Sequence, residues 1–256
     1  MKHGASHWKE MSALRILGLD TSGKVASAAV LDTERDLLLG ERSLYTTRGH
    51  SQVILPMAEA LLNDCGMTFA DVDCYAVSVG PGSYTGLRIG IAAVQGLAMP
   101  ENKPCIGVST LEAMAARCFG NENILAVMHA RNDLFYCAWF SYEIYMEYDP
   151  KYIDRQIPDE LQTAAQIAGV IDRMSRRIIV VGDGAEELIR QYEAMGHAGQ
   201  TILRPAPPFL RLQAASGVCH CAAKYIAEHE ELPTAADLTA SYLQAVNITR
   251  AGEGAK

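Results

Sequence analysis

One supersecondary plan is written twice along this chain, and that limits the folds open to it more than any single motif does. Arg15–Asp20 is a short apolar run ending in an acid. Val25–Leu31 follows across Thr21-Ser22-Gly23-Lys24, which is turn chemistry, and Leu37–Tyr45 follows the turn around Asp32–Asp36. Three strands on short turns make an antiparallel meander. Ser51–Cys65 then carries apolar side chains at Val53, Ile54, Met57, Leu61, Leu62 and Cys65, a helical period. Ser51 can cap that helix and Gly66 can end it, while Pro56 inside it predicts a bend or a late start. Val72–Val79 is a Val-rich run typical of a buried strand. A glycine loop leads to a second helix, Thr85–Met99, stopped by Pro100; Cys105–Val108 is another strand, and Ser109 or Thr110 caps a helix through Cys118.

From residue 124 the plan returns in weaker form. Ile124–Ala130, Leu134–Phe140 and a short run near Tyr142–Met146 suggest a second meander. Pro158–Val170 reads as a helix with Pro158 in its first turn, Arg177–Val181 as a strand, Ala185–Met195 as a helix and Leu212–Glu228 as a long helix beyond Pro205, Pro207 and Pro208. A meander followed by right-handed crossovers gives a mixed sheet covered by helices. That order is shared by the ribonuclease-H-like and actin-like folds. The expectation is therefore an α/β protein of the actin-like ATPase fold, two similar lobes each with a mixed sheet flanked by helices. The first lobe spans 13–110, completed by a helix at about 212–230; the second, degenerate lobe spans 111–211; tails lie at 1–12 and 249–256.

Composition narrows the function classes. Apolar residues make up 49% and charged residues 20% of 256, which suits a folded chain rather than a disordered one. Met1–Ser12 has no apolar periodicity and reads as a tag, a disordered lead or a misassigned start, with Met11 an alternative start. Seven Cys at irregular spacing, with no Cys-x-x-Cys, argue against a disulfide framework and fit a reducing cytoplasm. Cys219 and Cys221 flank His220, and the plain reading is small buried thiols on an Ala-rich helix rather than metal ligands. A net charge of −8 without a dense basic run predicts weak binding to nucleic acid by the chain alone; Arg173, Arg176 and Arg177 read as a solvated helix end.

The most informative segment is Gly80-Pro81-Gly82-Ser83-Tyr84-Thr85-Gly86-Leu87-Arg88-Ile89-Gly90, which joins a buried strand to a helix start. Gly80 and Gly82 allow a tight turn with exposed amides, and Ser83 or Thr85 can cap the helix. Free N–H groups at such a start favour anions, so Gly80, Gly82, Ser83 and Thr85 are a candidate nucleotide or anion loop. A tight turn that binds nothing explains the spacing equally well. The loop is neither a Walker A motif nor a nucleophile elbow. Small residues at Gly86, Gly90, Ala93 and Gly96 or Leu97 flatten one helix face, where the protein's own sheet or another chain's helix could approach closely.

Catalytic signals are sparse. No two of His3, His7, His50, His129, His197, His220 and His229 sit four apart on one helix, so neither a metal pair nor a catalytic set emerges by spacing. Asp20 ends the first strand and Asp183 follows a late one in Gly182-Asp183-Gly184; such acids can share a magnesium ion, and both are also common turn acids. His50 reads as a packing or capping residue beside Ser51, or as a base or partner contact.

Ile16-Leu17-Gly18-Leu19-Asp20-Thr21-Ser22, His50-Ser51-Gln52 with Leu55-Pro56, Val79 through Gly90 with Gln95-Gly96-Leu97-Ala98, and Gly107-Val108-Ser109-Thr110-Leu111 together resemble the TsaB (YeaZ) family over about residues 14–116. The resemblance implies an actin-like fold whose nucleotide chemistry is lost. It implies a cytoplasmic, non-catalytic subunit that binds and activates TsaD for threonylcarbamoyl transfer to adenosine 37 of tRNAs reading ANN codons. TsaD, a relative, keeps a helical His pair for a metal. TsaE, an ATPase, joins the pair; homodimers form; tRNA is met only through the complex; and ATP or ADP with magnesium could sit at the complex interface, none being intrinsic. By position, the partner interface falls on Val53, Met57, Leu61, Gly86, Gly90, Ala93 and Leu97. The second half departs from the family pattern: His129-Ala130-Arg131 stands where the family has Asp-Ala-Arg, Tyr242-Leu243-Gln244 where it has Tyr-Leu-Arg, and Tyr142–Gln156 is longer. Two rival readings are an active phosphotransferase or ATPase using Asp20, Asp183 and the glycine loop, and a peptidase acting on TsaD.

Overall fold

Strand pairing repeats the meander-and-crossover plan in both halves. The computed structural model describes residues 14–46, 49–118, 123–141, 152–174, 177–197 and 201–243. Strands β1 (Arg15–Asp20), β2 (Val25–Asp32), β3 (Leu37–Tyr45), β4 (Cys74–Gly80) and β5 (Cys105–Ser109) form one sheet in the order β3-β2-β1-β4-β5. β2 runs antiparallel to β1 and β3, whereas β4 and β5 run parallel to β1. Strands β6 (Asn123–Arg131), β7 (Leu134–Ser141), β8 (Asp154–Thr163), β9 (Ile178–Val181) and β10 (Leu203–Pro205) form the second sheet in the order β10-β9-β6-β7-β8. Read from β8, this is the same topology with the same parallel and antiparallel pairs. The fold class is thus two actin-like, ribonuclease-H-like lobes, each a mixed sheet flanked by helices.

Helices α1 (His50–Asp64) and α2 (Tyr84–Ala98) cover the outer face of the first sheet through Ile54, Ala58, Leu61, Leu87, Ile91 and Val94. Helices α4 (Ala164–Ile171) and α5 (Ala185–Tyr192) do the same for the second. Between the sheets lie α3 (Thr110–Ala116) and α6 (Ala215–Glu228), which share one apolar core with Ile16 and Ala29 on one side and Ile124, Ala126 and Phe140 on the other. Two glycines make that sandwich close. A Cβ on Gly217 would fall 1.9 Å from the Ala113 carbonyl oxygen, and one on Gly18 would fall 2.6 Å from Cys219 Sγ. Cys219 is therefore a packing residue of α6; burial pushes its thiol up to about 12, far from reactive thiolate.

Several expectations change in detail. Residues 158–163 are strand, not helix: β8 runs through Pro158 to Thr163, and α4 begins only at Ala164. Pro158 is tolerated because it lies on the edge strand β8 at a register irregularity with β7, where it has no paired partner. A capping box between Thr163 and Gln166 marks the true helix start. The short strand β10 was not foreseen. α1 begins at His50 after Gly49, so Ser51 is inside the helix rather than its cap, and Pro56 neither delays nor divides it. Both Gln52, whose carbonyl loses its partner, and Pro56 are exposed, so water can satisfy that carbonyl. Gly66 does follow α1 with φ 69, and Ser83 and Ser109 do cap α2 and α3. α5 stops at Tyr192, followed by a wide turn in which Gly196 has φ 90. The run at Tyr142–Met146, the tails at 1–12 and 249–256, Arg176 and Gln244 lie outside the described residues.

Candidate functional site: a glycine loop closed by its own chain

The parallel order β1-β4-β5 brings the C-terminal ends of these strands together, and the motif residues converge there. Asp20 is fully buried. Its Oδ1 accepts the Ser22 backbone N–H at 2.8 Å and the Ser22 hydroxyl at 2.6 Å, and its Oδ2 accepts the Ser78 hydroxyl from β4 at 2.6 Å. Burial pushes this carboxyl above its ordinary value; the Ser22 and Ser78 hydrogen bonds and the charge of His50 pull it part of the way back. Thr21 donates its hydroxyl to the Gly86 carbonyl at 2.7 Å, and its own carbonyl lies 3.2 Å from His50 Nδ1. The β1–β2 turn is thereby tied to the first turns of both α1 and α2.

The glycine loop closes onto the same turn. Gly80 and Gly82 have φ 130 and 158, with a cis peptide between Gly80 and Pro81. The Ser83 N–H donates to the Ser22 carbonyl at 2.7 Å, and the Ser83 hydroxyl accepts the Gly86 N–H at 3.2 Å as the helix cap. A Cβ on Gly82 would meet the Ser22 carbonyl oxygen at 2.5 Å, and one on Gly80 would meet the Ser241 carbonyl oxygen at 2.3 Å. These glycines are required by close approach of the chain to itself. Of the proposed anion-loop residues, Gly80, Gly82 and Ser83 are engaged with Ser22 and Ser241, while Thr85 stands exposed in the first turn of α2.

Sequence reasoning missed the element that supplies Ser241. After α6 the chain returns across the β5 edge: the Pro233 carbonyl accepts Cys105 N–H at 2.8 Å, Gln95 Nε2 donates to the carbonyls of Ala235 and Leu238, and Ser241 N–H donates to the Val79 carbonyl at 2.8 Å. Tyr242 ends this strap against Tyr84, with ring centroids 5.2 Å apart, and its hydroxyl accepts Arg88 Nε–H at 3.1 Å while the guanidinium lies over the Tyr84 ring. The only sequence signal was the Tyr242-Leu243 pair. Gln213, also unforeseen, is buried across Gly23 on the other side of the β1–β2 turn.

The candidate interface divides. Leu61 is core, and Gly86 and Gly90 face inward: a Cβ on Gly86 would lie 2.1 Å from the Thr21 carbonyl oxygen, and one on Gly90 would lie 2.6 Å from Thr21 Oγ1 and 3.0 Å from Val77 Cγ2. The flat glycine face of α2 belongs to its own sheet, and these three residues are not open to a partner. Val53, Met57, Ala93 and Leu97 remain half-buried at the outer surface, beside exposed Ala92 and Gly96. The two acids lie in different settings. Asp20 is enclosed, whereas Asp183 is an exposed turn residue whose Oδ1 accepts the His129 N–H at 3.1 Å. His129 is itself held edge-on to Phe135, with Nε2 3.1 Å from the Asn132 carbonyl oxygen. Among the described residues no group of three His, Cys, Asp or Glu side chains is placed to hold a metal ion. Nor, among them, is any helix long and apolar enough to cross a membrane.

The duplicated topology and the internally tied glycine loop define a two-lobed protein of actin-like fold whose loop is held against its own backbone at Ser22 and Ser241. A family model described as TsaD, tRNA N6-adenosine threonylcarbamoyltransferase, matches residues 44–171. The tRNA threonylcarbamoyladenosine biosynthesis protein TsaB of Escherichia coli is 38% identical over 133 residues, 51% of this chain and 55% of that protein. TsaB of Bacillus subtilis is 29% identical over 201 residues, 75% of this chain and 84% of that protein. The crystal structure of YeaZ from Pseudomonas aeruginosa superposes with a TM-score of 0.71 at 25% identity, covering 90% of this chain and all of that one. The chain belongs to the TsaB (YeaZ) family. It spans about half the length of the E. coli relative it matches.

Proposed function

We propose that this protein is a non-catalytic subunit of the tRNA threonylcarbamoyladenosine pathway, binding TsaD through the outer surface of α1 and α2 and holding TsaD in an active form. TsaE and tRNA are then met through that complex, in the cytoplasm, and a homodimer would use the same helices. The observation that carries the reading is the closed loop. Ser22 and Ser241 occupy the approaches to Gly82 and Gly80, and every oxygen of Asp20 is engaged within the chain. The residues a nucleotide enzyme of this fold would turn toward its ligand instead fix the starting positions of α1 and α2. An intrinsic nucleotide is not part of the proposal, and ATP or ADP with magnesium would belong to the interface of the complex. The names carried by the curated relatives support the pathway.

Gly90 is internal, so the decisive substitution falls on Ala93, at the outer surface of α2. Ala93 is half-buried at the edge of the first-sheet core, and an arginine there can extend outward past exposed Ala92 and Gly96, so Ala93→Arg should lower the melting temperature by no more than a few degrees, about 1 kcal/mol. At the centre of a helix-packed interface the same charge should cost at least about a hundredfold in affinity for TsaD. Co-purification with TsaD, followed by a threonylcarbamoyl-adenosine assay with and without the chain, reads the outcome. Full binding and full activity with the variant would reject this face as the contact.

A further inference from the structure

A cavity of about 630 Å³ opens at the C-terminal end of α1, beside the start of β1 and so at the opposite end of that strand from Asp20. Its volume falls within the range of small-molecule sites. β3 forms one wall through Leu39, Gly40 and Arg42, and as an edge strand it has no further strand beyond it. The floor is apolar: Leu61 and Met67 are buried, and Leu39 and Cys65 are half-buried. The rim carries both signs of charge, three arginines and four acids. Two of those acids are held by the chain's own backbone. Asp32 accepts the N–H groups of Glu34 and Arg35 at 3.1 and 3.0 Å, and Glu41 accepts the Ser216 N–H at 2.8 Å. The other two are half-engaged. Asp71 accepts the Thr68 N–H and hydroxyl through Oδ2, at 2.8 and 2.9 Å, and Asp64 meets Arg42 through Oδ2, so each keeps Oδ1 for another donor.

The basic side is just as unevenly committed. Arg42 is taken by Asp64, whereas Arg35 reaches Asp32 only at 3.8 Å with its side chain 70% exposed. The Arg15 side chain makes no hydrogen bond or ion pair among the described residues, although its backbone is anchored to Asp73. A ligand of one sign would be drawn to half of this rim and repelled by the other half. A zwitterion meets both halves favourably, and a guanidinium can take a carboxylate through two parallel hydrogen bonds. We infer that this cavity binds a zwitterion with an apolar side chain, a free α-amino acid or a short peptide. Its carboxylate would lie on Arg15 and Arg35, its ammonium on Asp64 and Asp71, and its side chain on Leu39, Leu61 and Met67. This inference stands apart from the proposed function and from the identity of any partner.

The test titrates the full chain, carrying methyl-labelled methionine, with leucine and with trileucine. Two readouts are followed: the Met67 methyl resonance, assigned with Met67→Leu, and the rate of maleimide addition at Cys65, the other thiols being buried. At least one probe should shift the Met67 resonance saturably and slow labelling of Cys65. Leucine alone marks an amino-acid site, and trileucine alone a peptide site. Isocaproate and isoamylamine, each lacking one of the two charges, should bind at least about tenfold more weakly than leucine where leucine binds, and N-acetyl-leucine amide, lacking both charges, should likewise bind at least about tenfold more weakly than trileucine where only the peptide binds. Arg15→Gln and Arg35→Gln should each weaken the binding probe about tenfold, and Arg35→Gln carries the test alone if Arg15→Gln does not fold. No saturable shift with either probe, equal affinity for the analogues stripped of charge, or undiminished binding in a folded arginine variant would overturn the site.

Discussion

Gly86→Ala is expected to remove more than about 3 kcal/mol of stability, a large effect for a one-methyl change. The added Cβ would lie 2.1 Å from the carbonyl oxygen of Thr21. That oxygen cannot yield as a side-chain tip would, because Thr21 is fixed through its hydroxyl to Gly86, through His50 at its carbonyl, and through Asp20 and Ser22 on either side. Helix α2 must then lift from β1, exposing Leu87, Ile91 and Val94. For a chain of this length the loss corresponds to a fall in melting temperature of roughly 10 °C. Gly90→Ala should be milder, about 1–2 kcal/mol, since its nearest atoms are the ends of the Thr21 and Val77 side chains. Gly96→Ala should go the other way: nothing lies within 4 Å of its Cβ, so the gain in helix propensity, about 1 kcal/mol, is not opposed. Calorimetric melting of the three variants orders them directly. A Gly86→Ala protein that melts with the parent would show that α2 is not seated on the β1–β2 turn.

The same helix shows what could be read before the structure and what could not. Period and punctuation place an element: apolar runs between short turns gave β1 to β5 to within a few residues, and hydroxyls before apolar helices narrowed the caps of α2 and α3 to two candidates each, of which Ser83 and Ser109 do the capping. A row of small residues at helical spacing says that something comes close. It does not say whose backbone that is, and here it was Thr21 of the same chain rather than a partner's helix. The strap from Pro233 to Tyr242 was invisible for a different reason. Its anchors at Cys105, Val79 and Ser241 are backbone N–H and carbonyl groups, which every residue possesses, and the side chains that help hold it, Gln95, Arg88 and Tyr242, form no periodic pattern. β8 was misread because its only punctuation, Pro158, is equally at home in a first helical turn and on a sheet edge. The candidate site was therefore legible as a set of residues and illegible as an arrangement: Asp20, His50, Gly80, Gly82, Ser83 and Gly86 do converge, but on one another.

Asp20→Ala and Asp20→Asn should separate the two roles that convergence gives the buried carboxyl. Alanine leaves the Ser22 N–H, the Ser22 hydroxyl and the Ser78 hydroxyl without their acceptor in a dry site, and a loss of about 3 kcal/mol relative to the parent is expected near pH 4, narrowing as the parent itself loses stability at higher pH. Asparagine keeps an acceptor for Ser22 and can turn its amide toward Ser78, so its cost should be much smaller, and it removes the buried charge. The pH dependence follows from burial, which holds the folded-state pKa of Asp20 above its unfolded value near 3.9. An acid with a raised folded pKa binds its proton more tightly in the native state. Its contribution is complete below about pH 3.9 and is lost as pH rises through the folded value. Relative to the parent, Asp20→Asn should therefore gain stability as pH is raised from about 4 toward neutrality, while Asp20→Ala runs parallel to Asp20→Asn at a lower level. Urea midpoints of the three proteins across that range test it. A parent that instead gains on Asp20→Asn with rising pH would mean that the Ser22 and Ser78 hydrogen bonds outweigh desolvation, and that the end of β1 still favours a charged carboxylate, as a site facing a cation would require.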